Sequence, residues 1–293
     1  MAIDISVIVS TRDNVEGIKQ TLASLMQQTL PQDRYEIIIA DDSQGRDTEE
    51  IINTPHQSDI SIFYLRSDGL GYPRGRNKSI RGASGDLLLF LDDTCIAPAT
   101  LLEAHIAAHK KHLHRIIRGP LMPMRGTTIL EMPPFTAPQL NFTITNSSIH
   151  KVGIAQIDKF EEHSENDYQD VEMYWPLRRS KFYEAFLTSC YTFQDHQHYQ
   201  PLNLMNIQTR AHLLACSAID YYNSNPQPET LQTIKLDCPC HPFRVMLTNN
   251  MGFSLASSML KSRNDGIGWM QATLMDAVFA YTFYHIIKSR INN

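Results

Sequence analysis

The sequence predicts an α/β fold, a mostly parallel sheet with helices on both faces, from three observations. Short, continuous runs of β-branched and leucine residues recur through residues 1–100, as in strands buried on both faces. Stretches of helical spacing separate these runs, and that alternation gives parallel strands joined by crossover helices. Two of the runs end in adjacent aspartates, at the carboxyl edge where sheets of this kind bind their ligands.

The elements follow in order. Ile5 to Val9 is the first strand. After the turn residues Asp13 and Asn14, the residues Ile18, Leu22, Leu25 and Met26 share one helical face, and this helix ends before Pro31. Tyr35 to Ala40 is the second strand, Glu49 to Ile52 belongs to a second helix, and Ile60 to Leu65 is the third strand. Asn77 to Ala83 reads as a short helix, and Leu87 to Leu91 as the fourth strand. Asp41 and Asp42 end strand two; Asp92 and Asp93 end strand four.

Bulk properties narrow the function. A chain of 293 residues with 42% hydrophobic composition can bury one large core or two smaller ones. Its net charge of −5 and scattered basic residues give no electrostatic footprint for nucleic acid. The opening MAIDISVIVSTRD lacks a basic segment and reads as a strand, not a secretory signal, so a cytoplasmic location is expected. Cys95, Cys190, Cys216, Cys238 and Cys240 are irregularly spaced, which suits reduced thiols. No run reaches the ~18 uncharged apolar residues of a membrane span, and peripheral membrane contact stays open.

Aspartates also cap helices and start turns, so one acidic pair would decide little. Two pairs at equivalent strand ends favour a ligand site. Adjacent carboxylates in a cleft repel one another, and a hard divalent cation, Mg²⁺ or Mn²⁺, relieves that repulsion. Coordination positions left open suit phosphate oxygens, which points to a nucleoside diphosphate.

The ordered segments SVIVSTRDN, TLASLMQQT, YEIIIADDS, GLGYPRGRNKSIRGASGDLLLFLDD and QDVEMYWPLR resemble family 2 glycosyltransferases. The resemblance runs to about residue 200 and implies the Rossmann-like GT-A fold, with a catalytic domain over 1–205; beyond it the sequence itself reads as a mostly helical extension over 206–293. It places Ser10 and Thr11 against a uracil ring, Arg12 near the base, and Asp42 as the carboxylate that holds uracil. Arg76 falls near the nucleotide, and Asn77 starts the following helix. LDDTCIAP departs from a strict D-x-D and is similar to the form in which the second aspartate reaches the metal. Asp93 is then the metal ligand and Asp92 a ribose partner or a support behind it. QDVEMYWPL is similar to E-D-x-E-x-x-x-R-L, which puts the catalytic base on Asp170, while Gln169 and Pro176 depart from the pattern. A histidine often follows that motif and completes the metal shell, which falls on His196 first, with His198 the alternative. The segment TNSSIHKVG corresponds to a turn leading into a helix below the acceptor.

These roles imply an inverting transferase that moves a sugar from a nucleotide-sugar, first of all a UDP-sugar, to a hydroxyl of a glycan or lipid-linked acceptor. The departures at Thr94, Gln169 and Pro176 keep a second class open, a GT-A-like protein that binds nucleotide-sugar or a partner without catalysis. A nucleotidyltransferase would need a glycine-rich, basic first loop, which STRDNVEG is not. His105, His109 and His112 share a helical face, read as solvated beside Lys110 and Lys111. Cys238, Cys240 and His241 resemble half a zinc site, with reduced thiols around a proline turn the preferred account. Segments 208–223 and 250–290 read as helices whose apolar stripes pack on the catalytic domain, a dimer surface and a membrane platform being the alternatives.

Overall fold

Four apolar runs become one side of a seven-stranded sheet, with the third at its edge: β1 (Ile5–Thr11), β2 (Tyr35–Asp41), β3 (Ser61–Arg66) and β4 (Leu87–Asp92). The computed structural model describes residues 2–54, 59–67, 71–126, 128–129, 144–155, 177 and 180–195, with separate helical positions within 205–223 and 278–289. β1 and β2 are buried along their whole length, which is why both read as unbroken apolar runs. Helices α1 (Val15–Leu25), α2 (Asp47–Ile52), α3 (Tyr72–Gly82) and α4 (Leu101–Lys111) connect and cover them. Beyond these lie β5 (Cys95–Ile96), β6 (Arg115–Arg118), β7 (Leu121–Arg125), β8 (Thr128–Ile129), β9 (Ser147–His150), α5 (Lys151–Ile154), β10 (Tyr183–Phe186) and β11 (Thr192–Asp195).

The strand order is β10-β6-β9-β4-β1-β2-β3, with β9 antiparallel to β4 and β6 and the other pairs parallel. A smaller sheet runs β5-β11-β7-β8. Alternation sorts the core: Val7, Val9, Ile37, Ile39, Leu89 and Leu91 cluster with Ile18, Leu22 and Leu25 of α1 and with Leu101 and Leu102 of α4. The other face receives α3. A β-carbon at Gly75 would stand 3.2 Å from that of Ala40 and 2.7 Å from the Ser67 hydroxyl, so only a glycine lets α3 settle here.

Two elements differ from the sequence reading. α3 begins at Tyr72 and not at Asn77, which puts Asn77 mid-helix. Gly71 turns the chain at a φ of 91°, Pro73 sits in the first helical turn where its missing N–H costs nothing, and the polar run RGR hides the periodicity. The segment after Thr145 forms a strand, β9, before the short α5, because its backbone fills the gap between β4 and β6.

The chain divides into two compact units, residues 1–130, 143–165 and 169–197, and residues 131–142, 166–168 and 198–293. In the second, the described positions within 208–223 are helical, with Ala211, Ala215 and Ile219 buried at a spacing of one turn. Described positions within 278–289 are helical too, with Val278 and Phe283 buried. The rest of the 250–290 segment and the Cys238–His241 stretch lie outside the described residues. Among the described residues, no helix is long and apolar enough to cross a membrane.

Candidate donor site at the carboxyl end of the sheet

The end of β1 carries both acidic pairs. The Ser10 carbonyl accepts the Asp93 N–H at 3.1 Å, and the Thr11 carbonyl accepts the Asp42 N–H at 3.0 Å. Both Ser10 and Thr11 are buried, and the Thr11 hydroxyl donates to Asp93 Oδ2 at 2.7 Å. Asp93 also accepts from the Asn14 side chain and the Arg12 backbone. Burial pushes the Asp93 carboxyl above its ordinary pKa, and the nearby negative charge of Asp41 adds to this, while the hydrogen bonds from Thr11, Asn14 and Arg12 oppose it. Asp92, half-buried at the end of β4, accepts a hydrogen bond from the Thr145 hydroxyl at 2.5 Å.

The other pair is handled differently. Asp41 accepts from the Tyr64 hydroxyl at 2.7 Å and from the Ser43 N–H at 2.8 Å, and belongs to the interior. Burial and this bond push the Tyr64 hydroxyl up. Asp42 is fully buried; its Oδ1 accepts the Gly71 N–H at 3.0 Å, and the half-exposed Arg12 guanidinium stands 3.7 Å from Oδ2. Separate protein partners thus relieve the Asp41–Asp42 repulsion where the sequence suggested a cation.

α3 supplies the remaining wall. Arg76 is buried, with its guanidinium carbon 5.8 Å from the Tyr72 ring centroid. Tyr72, which the sequence reading passed over, has its hydroxyl pushed up to about 12, first by burial and then by the charges of Asp93 and Asp92, with Arg12 and Arg76 opposing. An aromatic directly before a proline at a strand-to-helix turn was the available signal.

The Asp93 carboxylate suits a hard cation, which would relieve the burden of its desolvation. Among the described residues, no three His, Cys, Asp or Glu side chains gather closely enough to hold a metal ion. Asp170 and His196 lie outside the described residues. The strand leading toward His196 is tied to the acidic pair's neighbour, since the Asp195 N–H donates to the Thr94 carbonyl at 2.8 Å and the Gln194 amide to the Thr94 hydroxyl at 3.3 Å.

The histidine face of α4 is not solvated as expected. His105 and His109 are buried against Ser148 of β9, whose hydroxyl lies 2.7 Å from His105 Nδ1 and 2.9 Å from His109 Nε2. Ser148 stands in register with Leu89 and Ile117, so it faces the helix-covered side of the sheet and the imidazoles satisfy its hydroxyl. Burial lowers the His105 pKa to about 4 and the His109 pKa to about 3.

Residues 6–146 match the profile of the family described as glycosyl transferase family 2. This segment belongs to glycosyl transferase family 2. The chain is 30% identical over 115 residues to the glycosyltransferase YfnE of Bacillus subtilis, covering 39% of this chain and 29% of that relative. It is 28% identical over 150 residues to the poly(ribitol-phosphate) beta-N-acetylglucosaminyltransferase TarS of Staphylococcus aureus, covering 49% of this chain and 25% of that protein. The matched part therefore spans under a third of the length of these curated relatives. In three dimensions the chain resembles residues 1–349 of S. aureus TarS in complex with UDP, at a TM-score of 0.54 and 14% identity over 97% of this chain and 91% of the other. It also resembles the mannosyltransferase PcManGT of Pyrobaculum calidifontis in complex with GDP-Man and Mn²⁺, at a TM-score of 0.58 and 13% identity over 96% and 87%. The fold of this glycosyl transferase segment is thus the GT-A type anticipated from its motifs.

Proposed function

We propose that the chain is a glycosyltransferase that moves a sugar from a UDP-sugar to a hydroxyl of a glycan or lipid-linked acceptor, with inversion and with a divalent metal. The observation that carries this reading is the pair of hydrogen bonds by which Ser10 and Thr11 hold Asp93 and Asp42 at one strand end. A buried carboxylate such as Asp42 is suited to accept the imide N–H of uracil, and the charge on the acceptor strengthens such a bond. The β1 end at Ser10 and Thr11 would support the base, with Arg12 at its margin. Arg76 would face the diphosphate and Asp92 the ribose.

Asp93, with His196, would hold Mn²⁺ or Mg²⁺, and the bound ion supplies Lewis-acid stabilisation of the departing diphosphate. Asp170 would accept the proton of the acceptor hydroxyl as it attacks the anomeric carbon, so that a single displacement inverts that centre. The neighbours' complexes with UDP, UDP-GlcNAc and GDP-Man support a nucleotide-sugar donor without choosing the base.

Calorimetric titration of UDP and GDP, with and without Mn²⁺, tests the reading on wild type and Asp93→Ala. Metal-dependent UDP binding that Asp93→Ala loses supports it. Preference for GDP overturns the uracil assignment, and binding of neither nucleotide overturns the donor site.

A further inference from the structure

We infer that the Thr145–Asn146 turn is a built positioning device for Asp92, an inference that rests on the donor-site reading above. The antiparallel ladder of β4 and β9 ends with Phe90 opposite Ser147. Continuing that register would set Asp92 opposite Thr145. The ladder stops because Asn146 takes a left-handed φ of 55°, a conformation that asparagine tolerates better than most residues. Thr145 is thereby left outside the ladder while its buried hydroxyl donates to Asp92 Oδ2.

Asn146 is held from every side. Its N–H donates to the Phe90 carbonyl at 2.8 Å, and its carbonyl accepts from Gly119 at 3.2 Å. Its side-chain amide donates to the carbonyls of Cys190 at 2.8 Å and Pro120 at 3.3 Å. Those two carbonyls fix the amide's orientation, so Oδ1 faces His105 Nε2 at 3.3 Å and must accept from it. His105 then carries its proton on Nε2, its Nδ1 accepts from the Ser148 hydroxyl, and the Ser148 oxygen accepts from His109 Nε2. The donors and acceptors form one directed chain with both imidazoles neutral. Surroundings that over-determine a strained residue are expected where a neighbouring group must be held in place.

The consequence is that the carboxylate at the end of β4 meets its ligand already oriented by a charge-assisted bond, which lowers the ordering cost of binding. Thr145 acts through Asp92 and touches no ligand itself.

The test is a double-mutant cycle read by titration with Mn²⁺ and UDP, or GDP if wild type prefers it, alongside thermal melting. Thr145→Val is expected to weaken nucleotide binding about tenfold, which is one decade in Kd. Thr145→Ser is expected to restore it. In an Asp92→Ala background, Thr145→Val is expected to add no further loss, whereas a general packing defect would add the same loss in both backgrounds. A full additional loss in that background, or no loss in wild type, overturns the inference while leaving the donor site standing. Wild type that binds neither nucleotide overturns both. If Thr145→Val shows no folded transition, Thr145→Ala carries the same comparison.

Discussion

The hydroxyl of Thr11 meets the carboxylate of Asp93 at 2.7 Å across 82 positions of sequence, joining the ends of two adjacent parallel strands. That bond helps keep a desolvated carboxylate ionised. Thr11→Val removes one of the donors to this carboxylate without changing the shape, at a cost of about 1–3 kcal/mol for a lost hydrogen bond to a charged group. The Asp93 pKa is then expected to rise further, moving the acid limb of metal-dependent nucleotide binding to higher pH. Titration across a pH series checks this, and an unmoved limb would show that Thr11 does not tune Asp93.

Asp93→Asn separates stability from binding. The folded-state pKa of Asp93 lies above its ordinary value, so the folded protein holds that proton more tightly than the unfolded chain. The resulting stability is complete below the unfolded value and is lost as pH rises through the folded one. Wild type should therefore lose stability relative to Asp93→Asn as pH rises from acid toward neutrality, while the variant fails to bind UDP with Mn²⁺. Denaturant unfolding of both proteins along the pH series checks the first part, and calorimetry the second.

The buried histidines work with the opposite sign. His105 and His109 titrate below the ordinary histidine value, so the stability of their neutral forms is fully present above about pH 6.5 and is lost as pH falls toward their folded values, about 4 and about 3. The titratable groups that bear on His109 are His150, His105 and His112, with Asp86 and His114 acting on His150. Each tenfold weakening of proton affinity on folding is worth about 1.4 kcal/mol, so His105 alone contributes on the order of 3 kcal/mol. Stability measured by denaturant unfolding should fall steeply as pH drops from 6.5 to 4, and His105→Gln, which does not titrate, should flatten that slope.

The central strands and the acidic pairs were legible because local sequence decides them. Buried parallel strands read as unbroken apolar runs, and a strand's end is visible where Asp41 or Asp92 interrupts one. The start of α3 was hidden because Gly71, Pro73 and Gly75 serve backbone geometry and helix-to-sheet approach, which leave no periodic signature. The His105–Ser148–His109 network was misread because its logic is tertiary: a histidine pair one turn apart looks the same whether water or a buried serine hydroxyl receives it. Thr145 and Asn146 escaped for the same reason, since their partners Asp92, Cys190 and Pro120 are far away in sequence.

Asp170→Asn isolates the proposed base. Loss of a general base costs about 10²- to 10⁴-fold in turnover. The expected result is UDP binding within about twofold of wild type, roughly 0.4 kcal/mol, with transfer and donor hydrolysis reduced by that larger factor. Retained transfer would move the base to another residue, and loss of UDP binding would place Asp170 in the donor site.

Gly17→Ala sets helix propensity against tertiary contact. In the first turn of α1, alanine in place of glycine favours an isolated helix by about 1 kcal/mol. Here a β-carbon would stand 2.2 Å from Asn14 Nδ2 and 2.4 Å from the Asp93 carbonyl oxygen. The Asn14 side chain has little room to yield, because its Oδ1 caps the helix by accepting the Gly17 N–H at 3.1 Å and it also donates to the Asp93 carboxylate. The Asp93 carbonyl is backbone at the strand end and cannot rotate away. Alanine must therefore push α1 from the end of β4, costing roughly 1–3 kcal/mol as overpacking does and loosening the carboxylate held there. Lower thermal stability together with weaker Mn²⁺-dependent UDP binding is the expected outcome. A melting point raised by the propensity gain would mean that α1 and the Asp93 backbone are not in the close contact on which the site's geometry depends.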